Sequence, residues 1–237
     1  MQDNYVGDIG DYGKYSLLRM IGNKAHILAV NWYMVKPPVT QKQDDGKYIG
    51  YLEKPEKYRA FDPALFDALY QIVMVEKNRS VDRIEQADLF PAALYSVMPG
   101  TDRSAWHQNA LTKTAGCDTV FLDPDNGLET ERMHLNHSAT EKHVRWDELR
   151  DYYDRGQNVI LYQHRPQMTS KARCIDAIMK FQQNYLHADA VFLLEFPQFT
   201  NRFYFVFSHK KHAGFFESIC GEIEGKLPGF CRWLLQA

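Results

Sequence analysis

Between residues 119 and 127 the chain reads Thr-Val-Phe-Leu-Asp-Pro-Asp-Asn-Gly, an apolar stretch that breaks at once into acceptor side chains and turn formers. That pattern predicts a buried strand delivering Asp123, Asp125 and Asn126 to its end. The same change recurs at residues 158–162, Asn-Val-Ile-Leu-Tyr, which run into Gln163-His164-Arg165-Pro166. Residues 26–35 are nearly continuously apolar and rich in β-branched and aromatic side chains, so they read as a third buried strand. Residues 190–196 and 202–208 read as two more, joined by Pro-Gln-Phe-Thr-Asn, a connection short enough for an antiparallel pair.

Helical spacing fills the intervals. Leu65, Leu69, Ile72 and Val73 recur over residues 63–75 behind Asp62 as an N-cap. Further helices are predicted at 15–21 with Gly22-Asn23 as stop, at 103–114 closed by Gly116, at 146–155 closed by Gly156, at 170–186 and at 213–222. Residues 79–86 fit a strand or a short helix. Residues 36–57 turn polar, with Pro37-Pro38, Asp44-Asp45-Gly46 and Pro55, and read as a loop or insertion holding a short strand at 48–52. Strands alternating with helices and closing on a hairpin predict an α/β three-layer sandwich, with a mostly parallel sheet and a C-terminal antiparallel hairpin. The whole chain, 1–237, reads as a single domain with an insertion at about 36–100.

Composition changes this picture little. A net charge of −2 announces neither a nucleic-acid nor a membrane partner, although it leaves room for a local basic patch. No apolar run reaches the ~18 residues of a membrane helix, and no basic-then-apolar leader opens the chain. Cys117, Cys174, Cys220 and Cys231 are too scattered for a zinc or disulfide framework and read as reduced thiols of a cytoplasmic protein. Aromatic residues reach 14%, enough to raise a stacking surface as an idea, while Trp106 and Trp146 read as core anchors.

Three clusters carry candidate chemistry. Asp123-Pro124-Asp125-Asn126-Gly127 would serve as a plain turn, but a strand-end carboxylate is costly to bury without a partner, which favours a functional role for Asp123. Gln163, His164 and Arg165 follow a strand expected beside it, close enough for His164 to act as a base and Arg165 to hold an anion. Asp8, Asp11 and Lys14 recur at intervals of three within a glycine-rich opening segment, where a helix N-terminus would suit an anion. That segment lacks the P-loop spacing and hydroxyl, and no strand precedes it as a dinucleotide fingerprint requires. Asn31, on the first strand, completes the binding candidates. His134, His137 and His143 lie in a polar stretch and read as a solvated loop. Arg79, Arg83, Arg103 and the run His209-Lys210-Lys211-His212 would contact phosphates if they converged.

The order of pieces resembles the S-adenosylmethionine-dependent methyltransferase fold. In layout it is nearest to the bacterial ribosomal RNA adenine methyltransferases, whose polar opening segment precedes the first helix. The resemblance covers most of the chain as layout. In that family a strand ends in D/N-P-P-Y/F, where the first side chain and a proline carbonyl hold the target amine and the aromatic stacks on the base. Asp123-Pro124 matches the first two positions, Asp125 and Asn126 replace the last two, and residues 30–35 carry no glycine for a cofactor loop. The resemblance implies S-adenosylmethionine as cofactor and a nucleic acid or nucleotide as substrate. The alternatives are a nuclease, phosphotransfer or nucleotide-sugar enzyme using Mg²⁺ or Mn²⁺ on Asp123 and Asp125, and a binding module without catalysis.

Overall fold

The computed structural model describes every residue except 23, 25–26, 37–45, 167 and 227–230. The chain runs through α1 (Ile9–Gly22), β1 (Leu28–Asn31), α2 (Pro55–Tyr58), α3 (Pro63–Tyr70), α4 (Val81–Gln86), β2 (Ala92–Tyr95), α5 (Arg103–Lys113) and β3 (Thr119–Leu122). It continues through β4 (Gly127–Leu128), α6 (Glu131–Leu135), β5 (His143–Val144), α7 (Trp146–Asp154), β6 (Asn158–His164) and α8 (Lys171–Phe181). It closes with β7 (Ala190–Phe196), β8 (Arg202–Ser208), α9 (Ala213–Lys226) and β9 (Arg232–Gln236). Five helix starts use side-chain caps: Asp62, Ser80, Asp102, Thr130 and Ser170 accept from Leu65, Arg83, Ala105, Met133 and Arg173 backbone N–H groups.

The main sheet has seven strands in the order β2-β1-β3-β6-β8-β7-β9. β1 pairs in parallel with β2 and β3, and β3 pairs in parallel with β6. β8 lies antiparallel between β6 and β7, and β9 adds antiparallel to β7. The strands β1, β2, β3, β6 and β7 therefore share one direction, as the alternating pattern requires.

Side-chain alternation along each strand divides the core into two layers, one on each face. Leu28, Val30, Phe121, Ile160, Tyr204 and Val206 join the cluster that includes Tyr12, Leu17 and Leu18 of α1 and Phe216, Ile219 and Ile223 of α9. Ala29, Val120, Leu122, Val159, Leu161, Phe205 and Phe207 join Leu149 and Tyr152 of α7 and Ile178 and Phe181 of α8. The sandwich is thus three layers deep. All four cysteines are free and buried, and Trp106 is packed in the second layer, with Trp146 against its edge.

Several boundaries differ from the sequence expectation. The glycine-rich opening is helical: α1 begins at Ile9, well before residue 15. Gly7 makes a left-handed turn ahead of the helix at φ +75°, whereas Gly10 and Gly13 lie within it and serve close approach, because a Cβ on Gly10 would sit 2.2 Å from Arg202 Nε and one on Gly13 2.4 Å from Phe196 Cδ1. Residues 48–52 form turns rather than a strand, and residues 79–86 hold the helix α4. β1 is shorter than predicted. The expected loop at 37–45, the helix stop at Asn23 and the strand residue His26 lie outside the described residues. β2 and β9, edge strands with half-buried residues, and the two-residue pair β4–β5 escaped the pattern because short edges bury little and alternate weakly.

The tight contact at Gly13 gives a stability prediction. Alanine is worth about 1 kcal/mol over glycine in a helix, but its methyl must displace the fully buried Phe196 ring, and overpacking costs about 1–3 kcal/mol. Gly13→Ala is expected to lower the urea midpoint. An unchanged or raised midpoint would mean that the ring yields freely.

Candidate functional site

The alternation that builds the core also decides what meets at the carboxyl edge of the sheet. On β3, Phe121 faces α1 and Leu122 faces away, so the next residue but one from Phe121, Asp123, returns to the α1 side. On β6, Ile160 faces α1, so Tyr162 and His164 share that side and Gln163 points to the other. The register of β8 places Tyr204 opposite Tyr162 and Arg202 opposite His164. These residues line a cavity of about 500 Å³, closed by Asp8, Gly10, Asp11 and Lys14 from the α1 side and by residues 46–48 and Thr200. A crevice outside the carboxyl ends of parallel strands is where open α/β sheets bind ligands.

The charges at Asp8, Asp11 and Lys14 fall on one face of the helix start because their spacing is three residues. Asp8 Oδ1 accepts from Asp11 N at 2.9 Å, as an N-cap residue does, and its Oδ2 lies 3.2 Å from Arg202 Nη2. Asp11 accepts from Gly7 N at 3.1 Å and from Tyr15 Oη at 2.9 Å. Lys14 Nζ bridges two buried carboxylates, 2.8 Å from Asp11 Oδ1 and 2.8 Å from Asp123 Oδ2. Burial works against the Lys14 charge, but Asp11 and Asp123 overcome it and hold its pKa above the ordinary value. Burial raises the pKa of Asp123, partly offset by Lys14, and raises that of Asp8, partly offset by Arg202. Tyr162 is pushed up to about 12 by burial.

Two hydroxyls in this wall, Tyr204 Oη and Thr200 Oγ1, are closed off from solvent and have no hydrogen-bond partner among the described residues. Leaving such groups unpaired costs about 1–3 kcal/mol each, so both are placed to gain from a polar ligand.

The candidate residues divide. Asp8, Asp11, Lys14, Asp123, Asp125, Asn126 and His164 line the cavity together. Asp125 is held by Gln2 Nε2 at 2.5 Å, by the Met1 nitrogen at 2.9 Å and, more loosely, by Lys142 Nζ at 3.9 Å. Gln163 lies behind the site. Its amide accepts from Leu128 N at 2.9 Å and donates to Asn126 O at 3.1 Å, so it fixes the turn that presents Asp125 and Asn126. Arg165 donates to Asn201 Oδ1 and to Thr169 O and is outside the cavity lining. Asn31 also falls outside: alternation turns it toward α7, where it donates to Tyr152 Oη at 3.2 Å and accepts from Tyr33 N at 3.3 Å.

The scattered basic residues do not converge on the site. Arg79 donates to the carbonyls of Val6 and Gly46, Arg83 pairs with Glu76, and Arg103 pairs with Glu148. His134 is not in a solvated loop but on α6, stacked on Trp146 at 4.4 Å and 3.1 Å from Glu129. Among the described residues no group of three His, Cys, Asp or Glu side chains is placed to share a metal ion. Sequence reading missed Arg202, Tyr162 and Tyr204. Their signal was the alternation itself, Arg-x-Tyr opening β8 and Tyr-x-His closing β6.

His164 has a lowered pKa, through burial first and then the nearby Arg202 and Arg165 cations. Just below the imidazole's ordinary 6.5 the folded state therefore binds fewer protons than the unfolded one, and stability falls as pH drops through that window. His164→Gln is expected to flatten the slope of the urea midpoint between about pH 5 and 7. An identical slope in the variant would place the titrating group elsewhere.

No protein-family profile and no curated protein matches the chain. Among solved structures, a crystal structure of protein LPL1258 from Legionella pneumophila, described as belonging to DUF519, is similar in fold. Its TM-score is 0.50 at 10% sequence identity, and the match covers 98% of this chain and 97% of that one. No helix among the described residues is long and apolar enough to cross a membrane. The shared feature is the α/β architecture over nearly the full length of both chains.

Proposed function

We propose that the chain is a methyltransferase-like enzyme that uses S-adenosylmethionine and acts on an amine of a nucleobase, in a nucleic acid or a nucleotide. The observation that carries this reading is the placement of Asp123-Pro124 at the end of β3, in the wall of the carboxyl-edge cavity, with Lys14 and Asp11 from α1 against it.

The residues present suit such a cofactor. A cavity of about 500 Å³ is of the size that small-molecule sites occupy. Asp8, Asp11 and Asp123 offer acceptors to an ammonium group and to ribose hydroxyls, while Lys14 and Arg202 offer partners to a carboxylate. Tyr204 Oη adds an unpaired polar atom. When bound, the cofactor supplies an electrophilic methyl group on sulfur. Asp123 orients the acceptor amine by accepting its N–H, and Lys14, 2.8 Å away, opposes the rise in pKa that burial imposes on that carboxylate. His164, whose pKa is lowered by burial and by Arg202, lines the same cavity and is placed to take the proton that the amine gives up.

A reading through Mg²⁺ or Mn²⁺ on Asp123 and Asp125 has less support, since Lys14 Nζ already sits 2.8 Å from Asp123 Oδ2 and Gln2 2.5 Å from Asp125 Oδ2. Incubation with S-adenosylmethionine carrying a tritiated methyl group, and with single-stranded RNA, single-stranded DNA or adenosine monophosphate, tests the proposal. Label is expected in at least one acceptor. Absence of label from all three, alongside metal-dependent cleavage of any of them, would replace methyl transfer with the phosphodiester reading.

A further inference from the structure

The turn after β3 offers the cavity an amide, Asn126, and no aromatic ring. Rings stand instead at its rim. Tyr48 lines the cavity and stacks on Phe199 with centroids 4.5 Å apart and planes 18° from parallel. Tyr48 is fixed to the helix beneath, since its carbonyl accepts from Ile9 N at 3.0 Å, and Lys47 Nζ lies 5.6 Å from its ring centroid. Phe199 belongs to the connection between β7 and β8, immediately before Thr200, whose unpaired hydroxyl is in the cavity wall.

Two properties of Phe199 argue against simple packing. It is 64% exposed, so most of a large apolar ring is left in water. Its backbone is left-handed, φ +61°, a conformation that a residue with a Cβ enters at a cost. Strain of this kind gathers at ligand sites, where the surrounding structure holds it. The strain and the exposure coincide at the one ring that extends the Tyr48 face outward from the cavity.

We propose that Tyr48 and Phe199 form an aromatic platform on which a nucleobase stacks, against the outer face of Phe199, as it enters the site. This deepens the reading of the site as one acting on a nucleobase and rests on it. Base selection then resides in the 46–52 turns and the β7–β8 connection, and the turn after β3 is left with holding the amine. Stacking alone accepts any base, so Thr200, next to Phe199 in the β7–β8 connection, is the group placed to read its edge.

Quenching of 2-aminopurine, a fluorescent base that darkens when stacked, tests the platform directly. The probes are 2-aminopurine as a nucleoside monophosphate and at the centre of a single-stranded pentamer, in RNA and in DNA form; comparison of the three identifies the source of the base. The wild-type protein is expected to quench at least one probe saturably. Phe199→Ala and Phe199→Leu are expected to weaken that binding roughly 5- to 150-fold, the range of a lost base–aromatic stack, while Phe199→Tyr retains it. S-adenosylhomocysteine is titrated into the same variants and is expected to bind all of them alike. Absence of quenching by the wild type, or equal quenching by all four proteins, would overturn the platform. Phe199-dependent quenching without S-adenosylhomocysteine binding would overturn the cofactor reading and leave the platform standing.

Discussion

Lys14→Met is expected to destabilise the fold by about 3–5 kcal/mol, the cost of leaving buried charge without its partner. Lys14 is 4% exposed and lies 2.8 Å from carboxylate oxygens of both Asp11 and Asp123, themselves 4% and 3% exposed. Methionine fills a similar volume, so the loss is electrostatic rather than a cavity effect. The pH dependence separates the two. Asp123 has its pKa raised above 3.8 by burial, with Lys14 opposing that rise. Between 3.8 and the raised value the folded state binds more protons than the unfolded one, so stability from this group increases as pH falls. Removal of Lys14 lifts Asp123 further and widens the window. The deficit of Lys14→Met relative to wild type is therefore expected to be largest near neutral pH and to shrink toward pH 4. Urea unfolding across that range measures it, and a deficit independent of pH would mean that packing, not charge, was lost.

Asp123→Ala is expected to reduce methyl transfer roughly 10²- to 10³-fold, the loss typical of one positioned group acting on the transition state. The fold should survive, because Lys14 keeps Asp11 as a partner at 2.8 Å. Asp123→Asn retains an acceptor oxygen for the amine and is expected to fall between the wild type and alanine. Rates measured on whichever acceptor takes label, beside melting temperatures of the two variants, decide the matter. Equal loss in both variants with unchanged melting would shift the role of Asp123 from holding the amine to balancing the charge of Lys14. An unaffected rate in Asp123→Ala would remove it from the site.

Much of this arrangement was legible in the residues, for a physical reason. Buried strands of β-branched and aromatic residues announce themselves, so Thr119–Leu122 and the hairpin strands Ala190–Phe196 and Arg202–Ser208 coincide with expectation. A carboxylate directly behind such a strand has few bland explanations, and Asp123 does line the cavity. Asn31 and Gln163 lie off the cavity lining because strand alternation sends each to the far face, a consequence of register that no local pattern displays. Arg202 was hidden in an apolar strand as its first residue. Only the pairing of β8 with β6, a non-local fact, shows that it stands beside His164 and reaches Asp8. The glycines of α1 misled for a different cause: helix propensity argues against Gly10 and Gly13, and the close approach of Arg202 and Phe196 overrides it.

The central claim is that the cavity where α1 meets the ends of β3 and β6 binds an adenosyl amino acid. Isothermal titration of S-adenosylhomocysteine into the purified protein tests it most directly. The account predicts a saturable, single-site isotherm that is abolished or strongly weakened in Asp11→Asn, with melting raised by the ligand in the wild type. No heat and no change in melting with either S-adenosylhomocysteine or S-adenosylmethionine, in a protein whose melting responds to Mn²⁺ and loses that response in Asp123→Ala, would contradict it.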